Sequence, residues 1–230
     1  MLIITGDTHN TYDGQRLYPE NFDYTSLTKN DYLLVAGDFG FVWHGDSRDD
    51  EGLEILNNLP VTLLFIDGNH ENFNALDKYE IHDWHGGKVH FIRPSIIHLL
   101  RGEIYDIDGY SVFTFGGAIS VDKDVRTPGI SWWPQELPSE EELQHGLDNL
   151  KKHNNKVDLI VTHEIPTSFV KTLYSYAKGY PFSHYLENIK QTISYDHWYC
   201  GHHHQDIVFD DKHTLLYTNY VYLKSKNNLY

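Results

Sequence analysis

The sequence predicts an α/β fold in a single domain spanning residues 1–230. Three observations carry that reading: short apolar strands recur with a polar stop, an amphipathic helix lies between two of them, and the chain is long enough for one substantial core. Leu2-Ile3-Ile4-Thr5 is a β-branched apolar run that ends in Gly-Asp, the pattern of a buried strand halted by a loop. Tyr32 to Ala36 repeats it before Gly37-Asp38, and Val61 to Ile66 repeats it again before Asp67-Gly68-Asn69-His70.

Between the second and third strands, Ser47 to Leu59 reads as a helix. Ser47 is the expected N-cap, acidic residues fill the first turn, and Leu53, Leu56 and Leu59 recur at helical spacing. Further on, Val89 to Leu100 and Glu103 to Phe115 run apolar or alternate, and Asp108-Gly109 predicts a β-hairpin turn between Ile107 and Tyr110. Pro138 to Lys152 reads as a helix in which Ser139 and Glu142 form a capping box. Val157 to Val161 is a strand that stops at Thr162-His163, and Ser183 to Ile193 has helical character. His197 to Cys200 then leads into Gly201-His202-His203-His204, and a final hairpin turns around Asp210-Asp211-Lys212. Sheets built from βαβ units bind ligands outside the carboxyl ends of their strands, which is where the polar residues fall.

Charge and composition narrow the function. Hydrophobic residues make up 40% and charged residues 22%, which is ordinary globular usage. The 18 Lys and Arg against 33 Asp and Glu leave a net charge of −15, so extended binding to duplex nucleic acid is not expected. A phosphate substrate would need local positive charge, which bound divalent cations supply. No apolar run reaches the roughly 18 residues of a membrane span, and no basic stretch precedes an apolar segment at the start. Cys200 is the lone cysteine, which excludes an internal disulfide and fits a reducing compartment; a cytoplasmic protein with no membrane partner is expected.

Five strand ends present Asp7 with His9, Asp38, Asn69 with His70, His163, and His202 with His204. Each Gly-Asp pair alone is an ordinary turn, and His163 alone an ordinary buried histidine. Five such pieces at successive strand ends form a donor set of carboxylates and imidazoles, which favours Mn, Fe, Zn or Ni over Ca or Mg. Two adjacent ions need a bridging ligand; a carboxylate bridges where neutral imidazole does not, and Asp38 is the candidate. Glycines 6, 37, 68 and 201 are expected to let the chain turn sharply and bring the ligands close. His203 is expected to point away from its two neighbours, as alternation along an extended backbone requires.

The pieces Gly6-Asp7-Thr8-His9, Gly37-Asp38, Gly68-Asn69-His70-Glu71, Thr162-His163 and Gly201-His202-His203-His204 together resemble the ordered signature of the calcineurin-like metallophosphoesterases. The resemblance runs from residue 6 to residue 204. It implies an αββα sandwich, with Asp7, His9, Asp38 and His204 holding one metal and Asp38, Asn69, His163 and His202 the other. His70 would stay unligated and protonate the leaving oxygen or stabilise the transition state, while a metal-bound hydroxide attacks phosphorus in line.

The chain departs from two branches of that family. Protein Ser/Thr phosphatases and dinucleoside tetraphosphatases carry a phosphate-binding Arg shortly after the second motif. Here Phe39-Gly40-Phe41-Val42-Trp43-His44 follows Asp38 and the first Arg is Arg48, which disfavours both activities. Position 10 is Asn where many members have Gly. Phe39, Phe41 and Trp43 read as packing beneath the site in preference to a base-stacking wall. The stretch Gly116 to Gln135 is long and aperiodic, is similar to a loop of bacterial and phage members of the family, and holds Lys123, Arg126, Trp132 and Trp133. Arg126 is the expected substrate contact. These readings converge on hydrolysis of a phosphodiester or another small phosphorylated or nucleotide substrate. A nuclease of the same family and a non-enzymatic metal-binding scaffold are the alternatives.

Overall fold

The computed structural model describes every residue except Thr11, Lys178, Leu229 and Tyr230. In chain order its main elements are β1 (Leu2–Thr5), β2 (Tyr32–Val35), α1 (Asp50–Asn57), β3 (Thr62–Phe65), α2 (Phe73–Leu76), β4 (Ile81–Trp84), β5 (Gly87–Arg93), β6 (Ile96–Leu99), β7 (Glu103–Ile107) and β8 (Tyr110–Phe115). They continue as α3 (Glu140–Lys152), β9 (Leu159–Thr162), α4 (Thr167–Leu173), α5 (Pro181–Thr192), β10 (His197–Cys200), β11 (Ile207–Asp210), β12 (His213–Leu215) and β13 (Tyr220–Leu223).

Two mixed sheets result. The first has the order β13-β1-β2-β3-β6-β5-β4 and the second β11-β12-β10-β9-β8-β7. Strands β1, β2, β3 and β6 run parallel, as do β8, β9, β10 and β12. The alternation of a pleated strand sorts the side chains into layers. Leu2, Ile4, Leu34 and Leu64 point inward and meet Ile107, Val112, Leu159 and Val161 of the other sheet. On the outer face of the first sheet, Ile3, Leu33, Val35 and Phe65 pack with Leu53 and Leu56 of α1. On the outer face of the second, Phe113, Phe115, Ile160 and Trp198 lie with Leu150 of α3, Phe169 of α4 and Leu186 of α5. Helix, sheet, sheet and helix therefore stack as an αββα sandwich.

The expected strand ends are present, but they belong to two sheets whose ends meet. The expected hairpin is there too: Asp108 and Gly109 both take left-handed φ, 57° and 84°, the geometry that a two-residue hairpin turn demands. The run Val89 to Leu100 breaks at Pro94-Ser95 into β5 and β6, which extend the first sheet together with β4. The Ser139–Glu142 capping box forms as expected.

Helix α1 starts later than its sequence pattern indicates. Asp46 accepts the N–H of Arg48 at 3.0 Å and closes a turn around Ser47, so Ser47 does not cap. Asp49, at the N-cap position, instead accepts the N–H groups of His44 and Gly45 at 3.0 and 2.7 Å. Helix α5 begins two residues before Ser183, because Pro181 suits the first helical position and the Ser183 hydroxyl accepts the Tyr180 N–H at 2.8 Å. No helix among the described residues is long and apolar enough to cross a membrane.

Candidate metal centre

The loops after β1, β2, β3, β9 and β10 converge at one end of the sandwich, and Asp38 lies at the middle. Its Oδ2 sits 3.1 Å from His9 Nε2, while its Oδ1 sits 3.3 Å from His163 Nε2 and accepts the His70 N–H at 2.6 Å. The two oxygens of one carboxylate thus face two separate donor groups. Asp7, His9, Asp38 and His204 offer ligand atoms that lie within 4.8 Å of one another, and Asp38, His163 and His202 do the same. Asn69 joins the second group through Oδ1, 3.2 Å from His163 Nε2.

The imidazoles are oriented by what holds their other nitrogen. His9 has Asp13 Oδ2 3.1 Å from Nδ1, and His163 has the Ala36 carbonyl 2.8 Å from Nδ1, which leaves each Nε2 aimed at Asp38. The His204 ring stacks on Tyr217, with centroids 4.8 Å apart, and places its Nε2 3.2 Å from Asp7 Oδ2. His203 does not point clear of both neighbours as expected: its Nε2 lies 3.2 Å from Glu164 and its ring packs edge-on against His202, with centroids 4.7 Å apart. Alternation along an extended backbone does not apply here, since His202 and His204 are left-handed, with φ of 73° and 48°.

Backbone strain concentrates here. His9, Asn10 and Asp38 also take left-handed φ, at 43°, 49° and 49°, a region that non-glycine residues avoid unless their surroundings impose it. Asn is among the residues that tolerate it best, which suits Asn10 to this position. Of the four motif glycines only Gly37 has positive φ, 96°. Gly68 serves by close approach instead, because a Cβ there would overlap the Asp38 carboxylate.

Electrostatics explain what the cluster lacks. Asp7 and Asp38 are fully buried, and among the described residues no Lys or Arg forms an ion pair with either. Burial is the largest influence and pushes both carboxyls up, yet His163 together with the other imidazoles around them outweighs it and holds both below the usual range. Burial pushes His163 down, and the two carboxylates overcome that to bring it up to about 10. The counter-charge is therefore a proton on an imidazole. Asp7 Oδ2 is buried and makes no well-formed hydrogen bond, although His204 Nε2 lies 3.2 Å away. An orphaned carboxylate oxygen among imidazoles and a second carboxylate is what a divalent cation satisfies, so these residues fit the ions implied by the donor set.

Above Asp38 opens a cleft of about 760 Å³ whose lining includes His9, Trp43, His70, Arg126, Ser131 and Tyr217. Burial and the nearby Arg126 charge act on the His70 ring, the first being the larger, and hold its pKa below the usual histidine value despite Asp38. Arg126 reaches His70 from the long loop, with Nη2 2.9 Å from His70 Nε2, and is anchored by Asp122 at 2.8 Å. Trp43 is half-buried, packed edge-on against Trp133, whereas Phe39 and Phe41 are core residues as expected.

Several supporting residues were assigned no role from the sequence. Arg16 donates to the carbonyls of Gly6 and Asp7 at 2.8 and 2.6 Å and so pins the first motif. Buried Glu71 accepts the Phe39 N–H at 2.6 Å and ties the third motif to the second. Asp13, four residues after His9, was detectable from that spacing. Ser120 meets Asn69 across 51 positions of sequence, which no local pattern reveals.

The calcineurin-like phosphoesterase family model matches residues 1–206. The chain is also similar to the lariat debranching enzyme of Schizosaccharomyces pombe, at 22% identity over 156 residues, covering 60% of this chain and 32% of that protein. It thus spans about a third of the length of that relative. A match across nearly the whole chain, on a sandwich whose strand ends gather the motif residues, shows that the chain belongs to the calcineurin-like phosphoesterases.

Proposed function

We propose that this protein is a dinuclear-metal phosphodiesterase acting on a small phosphorylated or nucleotide substrate. The observation that carries the reading is the split of Asp38 between two donor groups. In this arrangement Asp7, His9, Asp38 and His204 hold one cation, and Asp38, Asn69, His163 and His202 hold the other, with Mn, Fe, Zn or Ni suited to such ligands. Bound there, the cations supply Lewis acidity and charge neutralisation at phosphorus.

The chain's own groups do the rest. The cleft walls hold the phosphate over Asp38, so that attack by water oxygen and departure of the ester oxygen lie in line. His70 donates its proton to the leaving oxygen as the P–O bond breaks. Arg126 donates to His70 Nε2 in the substrate-free protein; by turning its guanidinium onto a phosphate oxygen it frees that nitrogen to take up from solvent the proton that it passes to the leaving oxygen. This loop-borne Arg takes the place of the one missing after Asp38. Similarity to a protein named for debranching lariats supports a diester over a monoester.

A metal-reconstituted screen tests the proposal. Generic mono- and diesters, cyclic nucleotides, dinucleotides and short single strands are compared with Mn, Ni, Fe and Zn. Preferential turnover of one or more diesters is expected. Silence on all of them, or monoester turnover exceeding diester turnover throughout, would overturn it.

A further inference from the structure

A hydrogen-bonded relay runs from the long loop into the metal centre. Ser120 and Glu136 are both buried, 2% and 1% exposed, at opposite ends of the loop. Glu136 Oε1 accepts the Ser120 N–H at 2.9 Å, and its Oε2 accepts the Ser120 hydroxyl proton at 2.6 Å. The Ser120 Oγ then lies 3.1 Å from the Asn69 amide nitrogen.

Donor bookkeeping makes this arrangement directional. A hydroxyl has one proton, and here the Glu136 carboxylate takes it. Toward Asn69 the Ser120 oxygen is left with lone pairs only, so it must accept, and the group facing it must be the Asn69 NH₂. The amide oxygen is thereby turned the other way, toward His163. The same loop is tied down beside the third motif. Gly117 donates to the Asp67 carbonyl at 3.0 Å, and Arg101 Nη2 donates to the Gln135 carbonyl at 2.8 Å.

The geometry points to Ser120 and Glu136 as positioning residues that fix the Asn69 amide with its oxygen toward the second cation position; this rests on the proposed ligand role of Asn69. The loop therefore has two duties, one toward substrate through Arg126 and one toward the metal through Ser120. A carboxylate at position 136 is needed for its chemistry more than for its bulk. In Glu136→Gln the amide oxygen best accepts the Ser120 N–H while the amide nitrogen donates to Ser120 Oγ. That releases the Ser120 proton, which can donate to Asn69 Oδ1 and invert the amide, turning NH₂ toward the cation.

The test is Mn²⁺ binding to the metal-free full chain by calorimetry, with melting curves as the folding control. Asn69→Ala should weaken one of two Mn²⁺ sites and spare the other. Ser120→Ala and Glu136→Gln should each weaken that same site by about 10- to 100-fold, the usual effect of removing a partner that orients a ligand. Neither should weaken it further in the Asn69→Ala background. If Asn69→Ala leaves both sites unchanged, the ligand assignment fails. If Asn69→Ala acts but Glu136→Gln, nearly isosteric and folded, binds both ions as the wild type does, the relay is overturned. Additive losses in the double variants would overturn it equally.

Discussion

Two buried carboxylate clusters, one at Asp67 and one at Asp7 and Asp38, are neutralised differently. Asp67 is paired with the Arg101 guanidinium through Nε at 2.9 Å and Nη2 at 2.5 Å, with His98 Nε2 3.4 Å away. Two positions before Asn69, it has a permanent cation from the chain itself. Among the described residues, Asp7 and Asp38 form ion pairs only with imidazoles, and one Asp7 oxygen makes no well-formed hydrogen bond. The first cluster is complete without any added ion, and its charge is fixed. The second holds exchangeable protons where a divalent cation fits. Equal burial therefore signals structure in one place and metal chemistry in the other, and the counter-ion tells them apart.

The largest expected effect lies at the exchangeable cluster. Asp38→Asn should lower kcat/KM of the metal-loaded protein by on the order of 10³-fold, since losing the shared carboxylate forfeits several kcal/mol of transition-state stabilisation. Steady-state kinetics on the diester found in the screen reads it, and a loss under tenfold would erase the distinction between the clusters.

Next comes the fixed pair. Asp67→Asn leaves the Arg101 charge buried, with only Glu142 at 3.4 Å to balance it, and should cost about 3 kcal/mol in urea unfolding with or without metal. The pH dependence has a definite sign. Burial pushes the Asp67 carboxyl up, but Arg101 and His98 prevail and hold it below its ordinary value. The stabilisation is thus complete above the unfolded pKa of about 4 and fades as the pH falls toward the folded one. The stability gap between wild type and Asp67→Asn should narrow below about pH 4; a gap that widens there contradicts the pairing.

Somewhat smaller is the effect of the ion itself. Mn²⁺ at about 100 times its dissociation constant should stabilise the wild type by about 2.7 kcal/mol, with the gain reversed by a chelator. Asp67→Asn should keep that increment, and Asp38→Asn should lose most of it. Smallest is Arg126→Ala, expected to raise KM about tenfold, in line with the roughly 1.5 kcal/mol of a charge-assisted hydrogen bond. An unchanged KM would limit Arg126 to its pair with Asp122.

The residues of the exchangeable cluster were legible in sequence because each follows an apolar strand and stands beside a small or polar stop. Asp7, Asp38, Asn69, His163 and His202 needed only that grammar to be placed at strand ends. The division of those ends between two sheets was not legible, since β1 and β9 read Leu-Ile-Ile-Thr and Leu-Ile-Val-Thr yet lie in different sheets. Strand β13 was missed because Tyr222 is exposed and the segment is short, so its pairing with β1 is a tertiary fact. The glycines were only half understood. Gly37 turns the chain, whereas Gly68 makes room for a carboxylate 30 residues away, and sequence cannot separate the two uses. Ser120, Glu136 and Arg16 act through contacts that the fold alone creates.

The central claim is that two cations share Asp38. Anomalous diffraction from crystals of the Mn²⁺-loaded protein tests it most directly. The account predicts two peaks about 3.5–4 Å apart with the Asp38 carboxylate between them. A single peak, or two peaks that do not share Asp38, would contradict it.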